Sequence, residues 1–306
     1  MAIRSPFTAW VFVMSLLLLL LAFNRAVVPS EPKQQPSAAV AIAEKTIAIA
    51  EETIGDIMLK TQTDKLNRHA YDRYYDRYFA PFRHKKDVMI LEIGADNGMS
   101  MRLWAEYFTK PKGIHGISYG VSTDQKKVAC DWKPSACEYV KIFTGDQSDP
   151  VFLKSFTTTK YDLIVDDGSH LPAHQITSFS HLFPEALKDG GLYVIEDLET
   201  SYWDQPGASI YGYSLAGAGI ATAPKYSAIE KLKLLVDVLM RFHVSHSALS
   251  IFEGDKYIAD VTFGQGLVII RKNTAAERLH TPNVQNAPVQ RSSLEAWQAK
   301  AREGWL

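Results

Sequence analysis

Two stretches gather ionisable side chains at the ends of apolar runs. In DLIVDDGSHLPAH, Asp162 to His174, the run ends in Asp166 and Asp167, then a Gly168-Ser169 turn, then His170 and His174 four residues apart. In GLYVIEDLETSYW, Gly191 to Trp203, a second apolar run ends in Glu196 and Asp197. Carboxylates crowded at one place repel, and a dication between them removes that cost. Each pair alone reads equally well as a turn or a helix cap. Their joint placement on two successive strand ends is what points to a metal. A third stretch, LEIGADNGMS from Leu91 to Ser100, sets Glu92 in a strand end and Gly94 and Gly98 around the turn that follows. Glycines there let backbone amides approach a ligand where a side chain would collide. The spacing is not the G-x-G-x-x-G dinucleotide fingerprint, because no third glycine follows.

These residues need a scaffold that brings strand ends together. From His69 onward, short β-rich runs alternate with helical stretches, the mark of βαβ units and a mostly parallel sheet. The runs Val88 to Ile93, Ile114 to Ser118, Tyr139 to Thr144, Tyr161 to Asp166 and Leu192 to Glu196 predict strands. SMRLWAEYF, DPVFLKSF and AHQITSFSHLFPEALK between them have helical apolar spacing, as does KYSAIEKLKLLVDVLMRF later. KYIADVTF and GLVIIRK, joined at Gly264-Gln265, predict an antiparallel hairpin at a sheet edge. The Gly- and Ala-rich stretch after Trp203 is long enough for a lid or a partner-facing segment.

Taken together, HAYDRYYDRYF, LEIGADNGMS, GDQSDP, DLIVDDGSH and LFPEALKDGGLYVIEDLETSYW resemble class I S-adenosylmethionine-dependent methyltransferases. Within these they resemble the macrolide-sugar, mycinamicin-type O-methyltransferases, and in part the cephalosporin-hydroxylase-like group. The resemblance runs from about Asp64 to Lys272. It implies an α/β, Rossmann-like, mostly parallel seven-stranded sheet with helices on both faces, and methyl transfer to a sugar-type hydroxyl. It also implies Mg2+ (or Mn2+) held by Asp167, Glu196 and Asp197, with hard oxygen ligands as magnesium prefers. His170 matches the general base, for which an imidazole suits neutral pH; His174 is a secondary candidate for substrate contact. For the S-adenosylmethionine donor it implies Glu92, Gly94 and Ser100 near the methionine part, Asp146 and Gln147 near the adenine, and Asp166 near the sulfonium. One departure concerns the ribose: Ser118 stands where most relatives carry an acid after the second strand, with Asp124 nearby. Two other function classes are a metal-dependent oxidative enzyme and a non-catalytic methyltransferase-fold module. An iron oxygenase normally offers two histidines and one carboxylate, whereas carboxylates dominate here.

The 306 residues are 46% hydrophobic and 22% charged, which suffices for a full core, and a formal net charge of −1 gives no field for nucleic acid. Phe7 to Phe23 is apolar except for Thr8 and Ser15. At 1.5 Å per residue it spans ~25 Å, near the lower limit of a transmembrane helix and longer than most cleaved signal regions. The expected organisation is an anchor over residues 1–26, a linker and stalk helix over 27–63, a catalytic domain over 64–273 and a polar tail over 274–306. The stalk helix could equally lie against the domain. The expected location is a secretory membrane, Golgi or ER, with a lumenal catalytic domain, or secretion if the segment is cleaved. Expected partners are a sugar-containing acceptor, the membrane and a second copy of the chain. Cys130 and Cys137, the only cysteines, either pair or stay free depending on compartment, and they match no zinc pattern.

Overall fold

Runs such as VMILEI and YDLIVD form strands buried on both faces, because β-branched and aliphatic side chains fill a sheet covered by helices above and below. The computed structural model describes residues 51–120, 124–202, 209–210, 213–214, 227–240 and 251–280. Its main sheet has the order β3-β2-β1-β4-β5-β9-β8. The strands are β1 (Val88–Ile93), β2 (Pro111–Ser118), β3 (Val140–Thr144), β4 (Tyr161–Asp166), β5 (Leu187–Ile195), β8 (Ile258–Phe263) and β9 (Val268–Lys272). A separate two-stranded pair, β6 (Ser209–Ile210) and β7 (Tyr213–Ser214), lies between β5 and β8 in the chain. The first five strands are parallel, and β9 and β8 add antiparallel, so the sheet is mixed.

Alternation along each strand feeds two cores. Leu91, Ile93, Ile164, Tyr193 and Ile195 face one side of the sheet, and Ile90, Leu163, Val165, Leu192 and Val194 face the other. The first side is covered by α8 (Pro172–Glu185) and α9 (Ala228–Met240). The second is covered by α1 (Ile54–Thr61), α3 (Asp72–Arg83) and α4 (Met99–Tyr107), with the short α2 (Asp64–Asn67) between α1 and α3. Tyr75, Phe79, Trp104 and Phe108 stack between α3 and α4, with Tyr75 and Phe79 centroids 4.4 Å apart. Such pairs contribute about 0.5–1.5 kcal/mol each beyond area burial, enough to hold α3 firmly over the sheet.

The end of the expected stalk helix is α1. Thr53 and Asp56 form its capping box, and Ile54, Ile57 and Met58 are buried against the domain. Several boundaries move for local reasons. α8 runs through Pro184 and stops at Glu185, with Ala186 as its C-cap; β5 begins at Leu187 instead of Leu192 and ends at Ile195, so Glu196 falls just past its last residue. Residues 136–139 form a short helix, which delays β3 to Val140. The β8-β9 hairpin is as expected, but its connection spans residues 264–267, and Gly266, at φ +76°, takes the left-handed position. Cys130 and Cys137 are joined in a disulfide between α5 (Gln125–Trp132) and α6 (Ala136–Tyr139). Among the described residues no helix is long and apolar enough to cross a membrane. The expected transmembrane helix at Phe7 to Phe23 lies outside the described residues.

The strand order reverses between β1 and β4. The chain proceeds from β1 outward through β2 and β3, then returns to the other side of β1. A crevice opens at the carboxyl ends of strands at such a reversal, and ligands of open α/β sheets bind there.

Candidate active site

At this crevice Asp167 N donates to Ile93 O at 2.9 Å, which draws the ends of β1 and β4 together, and Gly94 N donates to Ile117 O at 2.9 Å, which ties the end of β1 to β2. Gly94, at φ +95°, lies so close that a Cβ there would sit 1.8 Å from the Asp167 carbonyl oxygen. Only glycine fits. Glu196 N donates to Asp166 O at 2.9 Å, which brings the end of β5 to the same rim. Asp167, Glu196 and Asp197 thus come from neighbouring strand ends, as expected. The first acid of the opening motif does something else. Asp162, at the start of β4, accepts from Lys85 at 2.6 Å, Lys188 at 2.7 Å and Met89 N at 2.8 Å. Burial raises its pKa, but these hydrogen bonds outweigh burial and hold its carboxyl below the usual range. It is a structural anchor at the opposite end of the sheet. The depression lined by Lys112, His115, Lys141, Lys160 and Lys188 lies at that same end and is separate from the crevice.

The three rim acids divide into an inner and an outer set. Inside, Lys65 of α2 lies 1% exposed. Its Nζ donates to Asp167 Oδ2 at 2.6 Å and to both Glu196 oxygens at 2.8 Å. Glu92 Oε1 lies 3.2 Å from the same nitrogen, and Trp104 Nε1 donates to Glu92 Oε2 at 3.0 Å. Tyr75 donates its hydroxyl to Glu196 as well. Burial alone would strip the lysine of its proton; Asp167, Glu196 and Glu92 outweigh burial and hold it charged. Burial and mutual repulsion push the Asp167 and Glu196 carboxyls upward, against the pull of Lys65. One ammonium thus leaves this group of acids short of positive charge.

Outside, Asp197 accepts from Tyr71 Oη at 2.7 Å, and its own backbone N donates back to Tyr71 Oη at 3.1 Å. His69 Nδ1 lies 3.3 Å from Asp197 Oδ1, and His170 Nε2 lies 3.5 Å from Asp197 Oδ2. The other imidazole nitrogen, His170 Nδ1, is buried without a hydrogen-bond partner. His170 and Asp197 both hold left-handed backbone, at φ +56° and +54°. Non-glycine residues adopt it at a cost, and such strain concentrates where side chains must be aimed. Thr200 Oγ1 donates to the His170 carbonyl at 3.0 Å, which ties the two strained turns together.

The donor-side candidates line the inner wall. Asp166 is fully buried; Ser178 donates to it, as does Gln147 Nε2 at 3.0 Å, and burial raises its pKa to about 6. Gln147 also accepts from Ser169 N at 2.6 Å, so it braces the DDGSH turn. Ser100 is buried in the first turn of α4, beside Glu92. Asp146 accepts from Ser148 N at 2.8 Å in its own turn. Ser118, at the end of β2, donates to the Gly120 carbonyl at 2.6 Å and accepts from Gln125 at 3.1 Å. Asp124 caps α5 by accepting from Lys127 N. His174 pairs with Ser169 Oγ at 2.9 Å, and burial lowers its pKa.

The residues the sequence reading missed are Lys65, His69, Tyr71 and Tyr75. All come from α2, α3 and the turn between them; His69, Tyr71 and Tyr75 lie in HAYDRYYDRYF, which carries part of the resemblance but no assigned chemistry, and no local signal marks Lys65. Whether the site suits a divalent cation is a question of its donors: one oxygen or nitrogen each from Asp167, His170 and Asp197 lie within 4.8 Å of one another, as do those of His69, Asp197 and Glu199. The carboxylates of this set, with unmet negative charge, fit Mg2+ or Mn2+, which prefer oxygen ligands, and the imidazoles lie beside them. Glu196 stands back from this set, held by Lys65 and Tyr75.

The sheet order and the crevice are those of the class I methyltransferase fold. No family model matches the chain. By sequence it is similar to O-methyltransferases: it is 38% identical over 159 residues to the 8-demethyl-8-alpha-L-rhamnosyl tetracenomycin-C 2'-O-methyltransferase of Streptomyces olivaceus, covering 49% of this chain and 39% of that protein. It is 32% identical over 219 residues to the demethylmacrocin O-methyltransferase of Streptomyces fradiae, covering 68% of this chain and 50% of the relative. The chain spans half the length, or less, of these two relatives. The solved MycE methyltransferase of the mycinamycin biosynthetic pathway, in complex with Mg, SAH and mycinamycin VI, superposes with a TM-score of 0.60. That match has 23% identity and covers 81% of this chain and 66% of MycE, which speaks for the shared fold.

Proposed function

We propose that this protein transfers a methyl group from S-adenosylmethionine to a hydroxyl of a sugar-bearing acceptor, with a divalent cation at the rim of the crevice. The observation that carries this reading is the convergence of the Asp167 and Asp197 carboxylates with the His170 imidazole at the strand-order reversal. The named activities of the relatives, all methylations of glycosylated polyketides or macrolides by their names, support the acceptor class. The magnesium and S-adenosylhomocysteine in MycE support the cofactors.

In this reading Glu92, Gly94, Ser100, Gln147 and Asp166 line the donor side, with Asp146 in the adjoining turn. Asp166 and Glu92 offer negative charge to a sulfonium and an amino group. Asp167 and Asp197 would hold the cation, joined by Glu196 once its oxygens are released. The cation would lower the proton affinity of a bound sugar hydroxyl. His170 accepts that proton at Nε2 as the hydroxyl oxygen bonds to the methyl carbon and the carbon–sulfur bond breaks. Asp197, 3.5 Å from that nitrogen, stabilises the imidazolium that results. Ser118 contributes one hydrogen-bonding hydroxyl where relatives offer a ribose-binding acid. The oxidative alternative asks for two histidines and one carboxylate about a metal, and among the described residues no such group occurs.

Two expected results test this. Methyl transfer from labelled S-adenosylmethionine to a rhamnosylated polyketide should fall by about 100-fold or more in EDTA and return with Mg2+. Transfer that persists in EDTA would remove the metal from the reading, and absence of S-adenosylhomocysteine binding by calorimetry would remove the methyltransferase. A membrane location is likewise proposed, on Phe7 to Phe23 alone. Deleting residues 1–26 should then move the protein from the membrane fraction to the supernatant, and equal partitioning of both forms would end that proposal.

A further inference from the structure

Lys65 is an unexpected charge to find inside a site that must admit a cation. Its side chain is 1% exposed, and its Nζ is shared among Asp167, Glu196 and Glu92 at 2.6, 2.8 and 3.2 Å. Asp167 and Glu196 are two of the three acids assigned above to a divalent cation. An ammonium and a dication compete for the same oxygen lone pairs, and like charges a few ångströms apart in a buried site repel strongly. Without metal, however, the acids need some cation, because a buried group of like charges with none is costly. Lys65 answers that need in the empty protein. Glu92 offers it a second place: Oε1 is buried, accepts no hydrogen bond of good geometry and already lies 3.2 Å from Nζ.

We infer that Lys65 is the resident counter-ion of the metal site, holding Asp167 and Glu196 while the site is empty and yielding them to an entering divalent cation by moving its ammonium fully onto Glu92. The inference rests on the metal-assisted reading above. It accounts for Glu196 standing apart from the Asp167, His170 and Asp197 donors: its oxygens are occupied by Lys65 and Tyr75 until exchange occurs.

The test is Mn2+ binding to the full chain, without donor or acceptor, followed by electron paramagnetic resonance of the free ion. Lys65→Met should bind Mn2+ about ten-fold or more tightly than the unaltered protein, the size expected for removing one repelling charge at close range. Lys65→Gln, which keeps hydrogen-bond donors and loses the charge, should show the same tightening. A variant that unfolds without metal and refolds on adding Mn2+ meets the expectation too, because the dication then supplies the missing charge. Equal or weaker binding by both variants overturns the role of Lys65 and leaves the metal reading intact. A pair of variants that stay unfolded at saturating Mn2+ also overturns it. Absence of Mn2+ binding by every form overturns the metal reading and the Lys65 inference with it.

Discussion

Asp197→Asn is expected to lower methyl transfer by about 100-fold or more, because it removes the outer of the carboxylates available to a divalent cation. Asparagine is the informative substitution. It tolerates the left-handed backbone that Asp197 holds at φ +54°, so the turn survives. Its amide oxygen can still accept from Tyr71, whose hydroxyl reaches Asp197 Oδ1 at 2.7 Å, so the neighbouring packing survives as well. What it loses is charge at the point where His69 and His170 converge. Affinity for Mn2+ should fall together with turnover, while S-adenosylhomocysteine binding measured without metal should be little altered. Near-normal turnover and Mn2+ affinity in Asp197→Asn would show that the outer carboxylate holds no metal.

His170→Ala should reduce kcat by about 10²–10⁴-fold, the usual contribution of a positioned general base. The side chain is part-buried, with Nε2 turned to Asp197 and a buried, unpartnered Nδ1. It touches none of the residues assigned to the donor through a hydrogen bond, so donor affinity and Mn2+ affinity should change far less than kcat. Because His170 sits at φ +56°, alanine also strains the turn, and His170→Asn separates the two effects. Both variants should lose kcat, and added imidazole should restore part of it in the alanine form. If His170→Asn turns over near the normal rate while the alanine form does not, the residue shapes the turn and some other group takes the proton.

Much of this site was legible because its signals are local. DLIVDDGSH and GLYVIED each join an apolar run to a change of chemistry within one strand end, and parallel strands in this fold bring such ends to one rim. Even so, the role of each acid within the motif was less legible. Asp162 reads like its neighbours in the sequence, yet it is fastened to Lys85 and Lys188 at the far end of the sheet. Gln147 is expected near the adenine from the resemblance, and in the structure it braces both Asp166 and the turn after it. The β5 boundary moved because α8 ends at Glu185, with Ala186 as its C-cap, where periodicity alone would have continued it to Lys188.

The sequence by itself determined the order of strands and helices, a glycine turn after β1, and strand ends that carry acids and a histidine. These follow from side-chain period, turn chemistry and backbone freedom, all settled within a few residues. Only the tertiary structure decided which cation those acids meet. Lys65 lies 102 residues from Asp167 and 131 from Glu196 in the chain. Nothing in its local sequence distinguishes it from a surface lysine; packing of α1 and α3 over the sheet buries it, and burial makes its charge and theirs interdependent.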